Sequence, residues 1–248
     1  MQTLFSKLFS QLGVEVKRVK PGKNYAKTLK PFNVEFTGVP GVGKTSLYKQ
    51  CNIRDKWINT GDFVLTLKKE PKYISDDSVF YHELAAQKLN SVTHYDYAGA
   101  DKLRVLSYFY KTLLSDYKVH TLNKEYIVVS DEGLLHNFGR EIRQLMHNRN
   151  ELHSDNFKNR AVIFCNSSAE RVAKQILKRE QETNRILPQH KNKSFDELVA
   201  LQHTALREYA DYMKMLAETG VKVLEINNTD APDNNSKKIH TFLNSLKS

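Results

Sequence analysis

Eight consecutive residues, Gly38-Val39-Pro40-Gly41-Val42-Gly43-Lys44-Thr45, set three glycines, a lysine and a hydroxyl at the spacing G-x-x-x-x-G-K-[ST]. Residues without a Cβ let successive backbone N–H groups turn toward one point, which makes a concavity for an anion. Lys44 adds a full positive charge with the reach to meet β- and γ-phosphates. The Thr45 hydroxyl is a hard oxygen ligand suited to Mg²⁺. Ser46 follows in the first turn of a predicted helix, whose N-terminal partial charge favours the same anion. Residues Gly38 to Ser46 are therefore the candidate cradle for the phosphates of a nucleotide, with Mg²⁺ as the accompanying ion.

Three further groups could act beside that cradle. The apolar run Glu125-Tyr126-Ile127-Val128-Val129-Ser130 ends in Asp131-Glu132-Gly133, two carboxylates and a glycine at a strand end. Asp131 is placed to share Mg²⁺ with Thr45, directly or through water, and Glu132 to orient a nucleophile. Lys69-Glu70-Pro71 closes another predicted strand, so Glu70 is a second candidate base. Arg179 and Arg185 stand in a polar segment that can close over transferring phosphate as a lid, about residues 179–193. The nine histidines are scattered and read as bland.

The elements that must position these groups alternate. Phe32–Thr37 has apolar residues at every second position, a short strand, and Leu47 and Cys51 mark one face of the helix after the glycines. Asn59-Thr60-Gly61 reads as a turn opening a strand over 62–67. Helices are predicted over 77–94, marked by Leu84, Leu89 and Val92, and over 101–118, marked by Leu103, Leu106, Tyr110, Leu113 and Leu114. The aromatics Phe80, Tyr81, Tyr95, Tyr97, Tyr108, Phe109 and Tyr110 read as core, with stacking on a base or sugar as the other reading. A helix follows over 134–151, then a buried strand over 161–165 and a helix from Ala169. Ser194 with Glu197 is a capping box opening a long helix that ends at Gly220. A last strand over 221–226 and a closing helix over 236–246 complete the pattern. Such alternation predicts an α/β fold: a parallel sheet with helices on both faces, a three-layer sandwich over residues 32–248.

Composition bounds the alternatives. The chain has 248 residues, 40% hydrophobic and 27% charged, with no apolar run long enough to span a membrane and no secretory pattern at its start. Cys51 and Cys165 read as buried thiols of a cytoplasmic protein, and no Cys/His spacing points to zinc. Of the net charge of +10, residues 1–31 hold +6, from Lys7, Lys17, Arg18, Lys20, Lys23, Lys27 and Lys30 against Glu15. Leu4, Phe5, Leu8, Phe9 and Leu12 give this extension an amphipathic helix. The favoured expectation is a helix docked on the protein body. An anionic membrane surface, at the inner face of a membrane, or a nucleic acid are the other partners it suits. A homodimer is also left open.

The order of phosphate loop, Glu70-Pro71, acidic strand end, Asn166-Ser167-Ser168-Ala169-Glu170 and then arginines resembles the thymidylate kinase and deoxynucleoside kinase group over about residues 32–247. Lys69-Glu70-Pro71 stands where thymidylate kinases carry Arg-Glu-Pro. The resemblance implies a P-loop kinase fold with an arginine-bearing lid, and transfer of the γ-phosphate of ATP·Mg²⁺ to an acceptor. It implies Arg179 and Arg185 as the lid arginines, and the loop after the last strand, Asn227-Asn228, as lying near adenine. The chain departs from that pattern at Glu132, where the family usually has arginine, and at Gln175, where an arginine often precedes the lid. Exchanging a cationic clamp for a carboxylate disfavours a phosphate-bearing acceptor. The expectation is a small-molecule acceptor hydroxyl, on a nucleoside- or nucleotide-like molecule or a sugar, with a neutral hydroxyl suiting the acidic pair better. A polymer-borne or glycolipid acceptor is the alternative, as is an NTPase switch without acceptor, against which stands the lack of an Asn-Lys-x-Asp motif.

Overall fold

The alternating stretch Phe32–Thr37 is strand β1 of a computed structural model that describes residues 32–53, 58–60, 78–120, 127–148, 154–183 and 190–246. The basic extension 1–31, the strand expected over 62–67, Lys69, Glu70 and Arg185 lie outside the described residues. β1 runs into the glycine turn and helix α1, Lys44–Gln50. There follow β2 (Ile58–Asn59), α2 (Ser78–Thr93), α3 (Gly99–His120) and β3 (Ile127–Ser130). Then come α4 (Leu134–Asn137), α5 (Gly139–Asn148), β4 (Arg160–Asn166), α6 (Ala169–Thr183), α7 (Phe195–Glu218), β5 (Lys222–Asn227) and α8 (Pro232–Ser245).

The described strands form one parallel sheet in the order β2-β3-β1-β4-β5. Parallel neighbours need crossovers, and helices on the two faces supply them. β4 shows the two-sided burial: Ala161, Ile163 and Cys165 join one core, and Val162 and Phe164 the other. The first core holds α1, α6 and α8 against the sheet through Leu47, Val172, Ile176, Ile239 and Leu243. The second gathers α2 to α5 through Leu84, Leu113, Leu135 and Ile142. Each such side chain contributes about 1.5–3 kcal/mol when fully buried. The three-layer α/β expectation holds.

β1 departs from a simple amphipathic strand. Val34 and Phe36 enter the first core, yet Asn33, Glu35 and Thr37 on the other face are also buried. A period-2 pattern ordinarily sends its polar set to solvent. Here β1 is central, and the polar set becomes a hydrogen-bonded column beneath the second layer.

Several boundaries and faces differ from the sequence expectation. Asn59 is not a turn residue but pairs with Val129, because the exposed edge of β3 accepts a strand there. The expected helix over 134–151 is two helices, broken at Phe138. The break turns Phe138 into the core against Phe109 and lets Gly139 meet the Tyr212 ring. Leu89 and Leu103 do not mark core faces; they are 52% and 70% exposed. Helix α6 continues through Arg179 to Thr183, so residues 179–183 of the expected lid segment are helical, and 184–189 lie outside the described residues. The Ser194–Glu197 capping box is present in both directions, and Cys51 and Cys165 are buried free thiols.

Candidate active site

The glycine turn places Lys44 at the first position of α1, starting from Gly43 in the left-handed region (φ 94°). Gly43 has a second reason to lack a Cβ. The Asn228 amide, from the loop after β5, would lie 2.4 Å from it while donating to the Val42 carbonyl. Asn228 thus braces the back of the phosphate loop. On its other flank Val172 and Ile176 of α6 pack over Gly41. Arg179 lies one turn further along α6, on its exposed face.

Lys44 is 5% exposed and its ammonium is fully engaged. Nζ donates to the carbonyls of Gly38 (3.0 Å) and Val39 (3.2 Å) and lies 3.3 Å from Glu132 Oε1. Thr45 Oγ1 donates to Asp131 Oδ2 at 2.9 Å. The expected cluster of Lys44, Thr45, Asp131 and Glu132 is therefore assembled across β1 and β3, whose parallel register sets Glu35 beside Ser130.

Asp131 Oδ1 is buried without a hydrogen-bond partner among the described residues. Burying an unpartnered carboxylate oxygen is costly, and burial accordingly pushes the Asp131 carboxyl above its ordinary range, against the Thr45 hydrogen bond. An orphaned hard oxygen beside a threonine hydroxyl fits Mg²⁺, which needs few protein ligands and keeps its waters. Thr45 and Asp131 are the residues that would hold it.

Glu132 behaves oppositely. Burial would raise its pKa, but hydrogen bonding to His136 and the Lys44 charge outweigh that and bring it down to about 2. His136 Nε2 lies 3.3 Å from Glu132 Oε1, and its Nδ1 3.0 Å from Thr37 Oγ1. Burial and Lys44 hold His136 below the ordinary histidine range, so at neutral pH it meets Glu132 as a neutral ring. Reading every histidine as bland is corrected at His136. The available signals were its i, i+4 spacing from Glu132 and the hydroxyl of Thr37 next to Gly38.

A cavity of about 430 Å³ opens beside the two carboxylates. Asp131, Glu132 and Gly133 form one wall, and Tyr108, Thr112 and Ser115 of α3 another. Helix α3 thus faces the site. The aromatics divide: Phe80 and Tyr81 of α2 are core as expected, whereas Tyr108 of α3 is 47% exposed at the cavity.

The floor is a buried polar network. Asp116 accepts two bonds from the Arg160 guanidinium (2.7 and 2.6 Å), one from Asn33 (2.6 Å) and one from Tyr81 (2.9 Å). Burial alone would favour a neutral Arg160, but the charge of Asp116 keeps it firmly protonated. Glu35 stands 4.0 Å from the same guanidinium and accepts the N–H groups of Leu135 and His136, each at 3.1 Å. Burial first, then the Asp116 charge, push Glu35 up to about 7. Gly133 is required by this column: a Cβ there would sit 2.4 Å from the Glu35 carboxyl carbon. Sequence reading found none of Asn33, Glu35, Asp116 or Arg160.

No protein-family model matches the chain, and no curated protein matches it. Among solved structures it is similar to shikimate kinase from Bacteroides thetaiotaomicron, at 14% identity over 86% of this chain and 98% of that one, with a TM-score of 0.44. It is also similar to deoxyadenosine kinase from M. mycoides with bound dCTP, at 13% identity over 86% of this chain and 99% of that one, also with a TM-score of 0.44. Values this low carry no argument about activity or substrate.

Proposed function

We propose that the chain is a phosphotransferase that moves the γ-phosphoryl group of ATP·Mg²⁺ to a hydroxyl of a small neutral acceptor, a nucleoside or a sugar. The observation that carries this reading is the cavity walled by Asp131 and Glu132 and joined to the phosphate loop through them. An NTPase without an acceptor has no use for such a chamber. Phosphoryl transfer asks a protein mainly for positioning and charge neutralisation, and the two sides of this site divide that work.

Lys44 and the backbone of residues 38–43 bind the donor phosphates. Mg²⁺, when bound at Thr45 and Asp131, neutralises charge on the transferring group. In the cavity the acceptor oxygen forms its bond to the γ-phosphorus while the bond from that phosphorus to the bridging oxygen breaks, releasing ADP. Glu132, ionised and at the cavity wall, takes the acceptor's proton. Arg179 and Arg185, with Glu70 as the other candidate base, remain part of the proposal as lid and acceptor-side groups. Lys111 is the one cationic side chain lining the cavity, and no arginine lines it, among the described residues. That lining supports an uncharged acceptor over a phosphomonoester.

The test is transfer of labelled γ-phosphate from ATP across nucleosides, sugars, nucleoside monophosphates, glycolipids and modified DNA. A labelled nucleoside or sugar is expected. Label confined to a glycolipid or DNA would move the acceptor to a membrane or polymer, and hydrolysis indifferent to every acceptor would overturn the kinase reading. Lys44→Ala should lower kcat by on the order of 10²-fold or more, because a preorganised charge is lost where the transition state needs it; undiminished turnover would refute that role.

A further inference from the structure

We infer that His136, oriented by the Thr37 hydroxyl, is a positioning residue that holds the Glu132 carboxylate at the acceptor cavity independently of Lys44. The inference rests on the phosphotransfer reading and deepens it.

Hydrogen-bond chemistry fixes the direction of the chain. An ionised carboxylate only accepts, so His136 Nε2 must carry the hydrogen that points to Glu132 Oε1 (3.3 Å). In a neutral ring the other nitrogen is then an acceptor, and Thr37 Oγ1, 3.0 Å away, donates to it. Thr37 is fully buried at the end of β1, immediately before the glycine turn, so its hydroxyl needs such a partner. The tautomer of His136 is thus set by the strand that feeds the phosphate loop.

The residue is held from two further directions. Its backbone N–H is bound by Glu35 Oε2 at 3.1 Å. Its ring lies against Tyr209, with centroids 6.2 Å apart and planes 31° apart. The side chain is 11% exposed. Restraint of backbone, ring face and both ring nitrogens goes beyond what filling space requires.

The reason for it lies in competition at Glu132. Lys44 and His136 share the same oxygen, Oε1. The groups whose charges bear on the ring are Lys44, Asp131 and Glu132 itself. A lysine that also serves donor phosphates cannot be relied on to hold a carboxylate in register. His136, with no such second duty, keeps Glu132 aimed when Lys44 turns to the nucleotide. A misplacement of about 1 Å at a reacting group costs on the order of 10²-fold in rate, which is the scale the residue protects.

Two measurements on the full-length protein test this. The first needs neither nucleotide nor acceptor: ¹⁵N spectroscopy of the histidine rings, with His136 assigned by its loss in His136→Gln. The expected signature is a neutral ring protonated at Nε2, preserved in Thr37→Ser and lost to a tautomer mixture in Thr37→Val. Protonation at Nδ1, or a spectrum unmoved by Thr37→Val, overturns the relay. The second compares His136→Leu with His136→Gln, whose amide still donates toward Glu132. The leucine variant should lose on the order of 10²-fold in kcat, with nucleotide Kd and acceptor KM within about threefold of the parent. The glutamine variant should recover most of that loss. Equal loss in both, or a loss confined to KM, would show a merely structural ring. If the parent transfers phosphate to no acceptor, the kinase reading fails by itself, while the ring spectra still decide whether the Thr37–His136–Glu132 chain exists.

Discussion

Gly133→Ala puts the buried polar column under direct test. The new methyl would arrive 2.4 Å from the Glu35 carboxyl carbon and 2.6 Å from its Oε2, distances no Cβ tolerates. Glu35 is 1% exposed and closed in by Arg160 and helix α4, so its carboxylate must leave the N–H groups of Leu135 and His136. At pH 8, where Glu35 is ionised, hydrogen bonds to it contribute about 1.5–3 kcal/mol each, and overpacking adds about 1–3 kcal/mol. Losing one bond and straining the other gives an expected destabilisation of about 3–5 kcal/mol by urea denaturation, without change in m-value. The decisive measurement is the double-mutant cycle with Glu35→Ala. That substitution alone should cost about 3 kcal/mol for the two lost bonds, but it opens the space the methyl needs. Adding Gly133→Ala to it should then cost less than about 1 kcal/mol, the ordinary size of a Gly-to-Ala backbone effect. If Gly133→Ala costs the same in both backgrounds, contact with Glu35 is not why glycine stands there. Because Gly133 follows Glu132, the single variant should also lower kcat; a destabilised enzyme with full kcat would uncouple the column from the site.

The remaining predictions concern the ion and the pH dependence. Asp131→Asn keeps a hydrogen-bond acceptor for Thr45 but removes the charge, so half-saturating Mg²⁺ should rise by about tenfold or more in a nucleotide-binding titration; an unchanged requirement would place the ion elsewhere. For Glu35, a folded pKa of about 7 against 4.5 means the folded state holds its proton longer than the unfolded state. Stability from this group is full below about 4.5 and is lost as pH rises through 7, by on the order of 3 kcal/mol. His136, held below its ordinary range, has the opposite slope, destabilising as pH falls below the histidine range. Denaturation of the parent and of Glu35→Gln between pH 4.5 and 8 separates them. The gap between the two should change across that window, and a constant gap would mean that Glu35 does not titrate there.

What the sequence determined by itself was local or periodic. The glycine–lysine–threonine spacing, the capping box at Ser194 and Glu197, and the apolar runs of β3 and β4 all write their geometry within a few residues of chain. From these came the parallel sheet, the phosphate loop, and the meeting of Thr45 with Asp131, whereas the pairing of Lys44 with Glu132 appeared only in the fold. Tertiary structure alone decided the rest. The alternation of Phe32–Thr37 reads identically whether its polar face meets water or a second layer of helices. Only the central place of β1 between β3 and β4 buries Asn33, Glu35 and Thr37. Of the partners they then require, Asp116 at 83 residues' remove carries no mark in sequence, because nothing local constrains it, and His136 at 99 carries only its spacing from Glu132. Burial turns ordinary polar residues into a network that must be satisfied, and burial is a property of the whole fold.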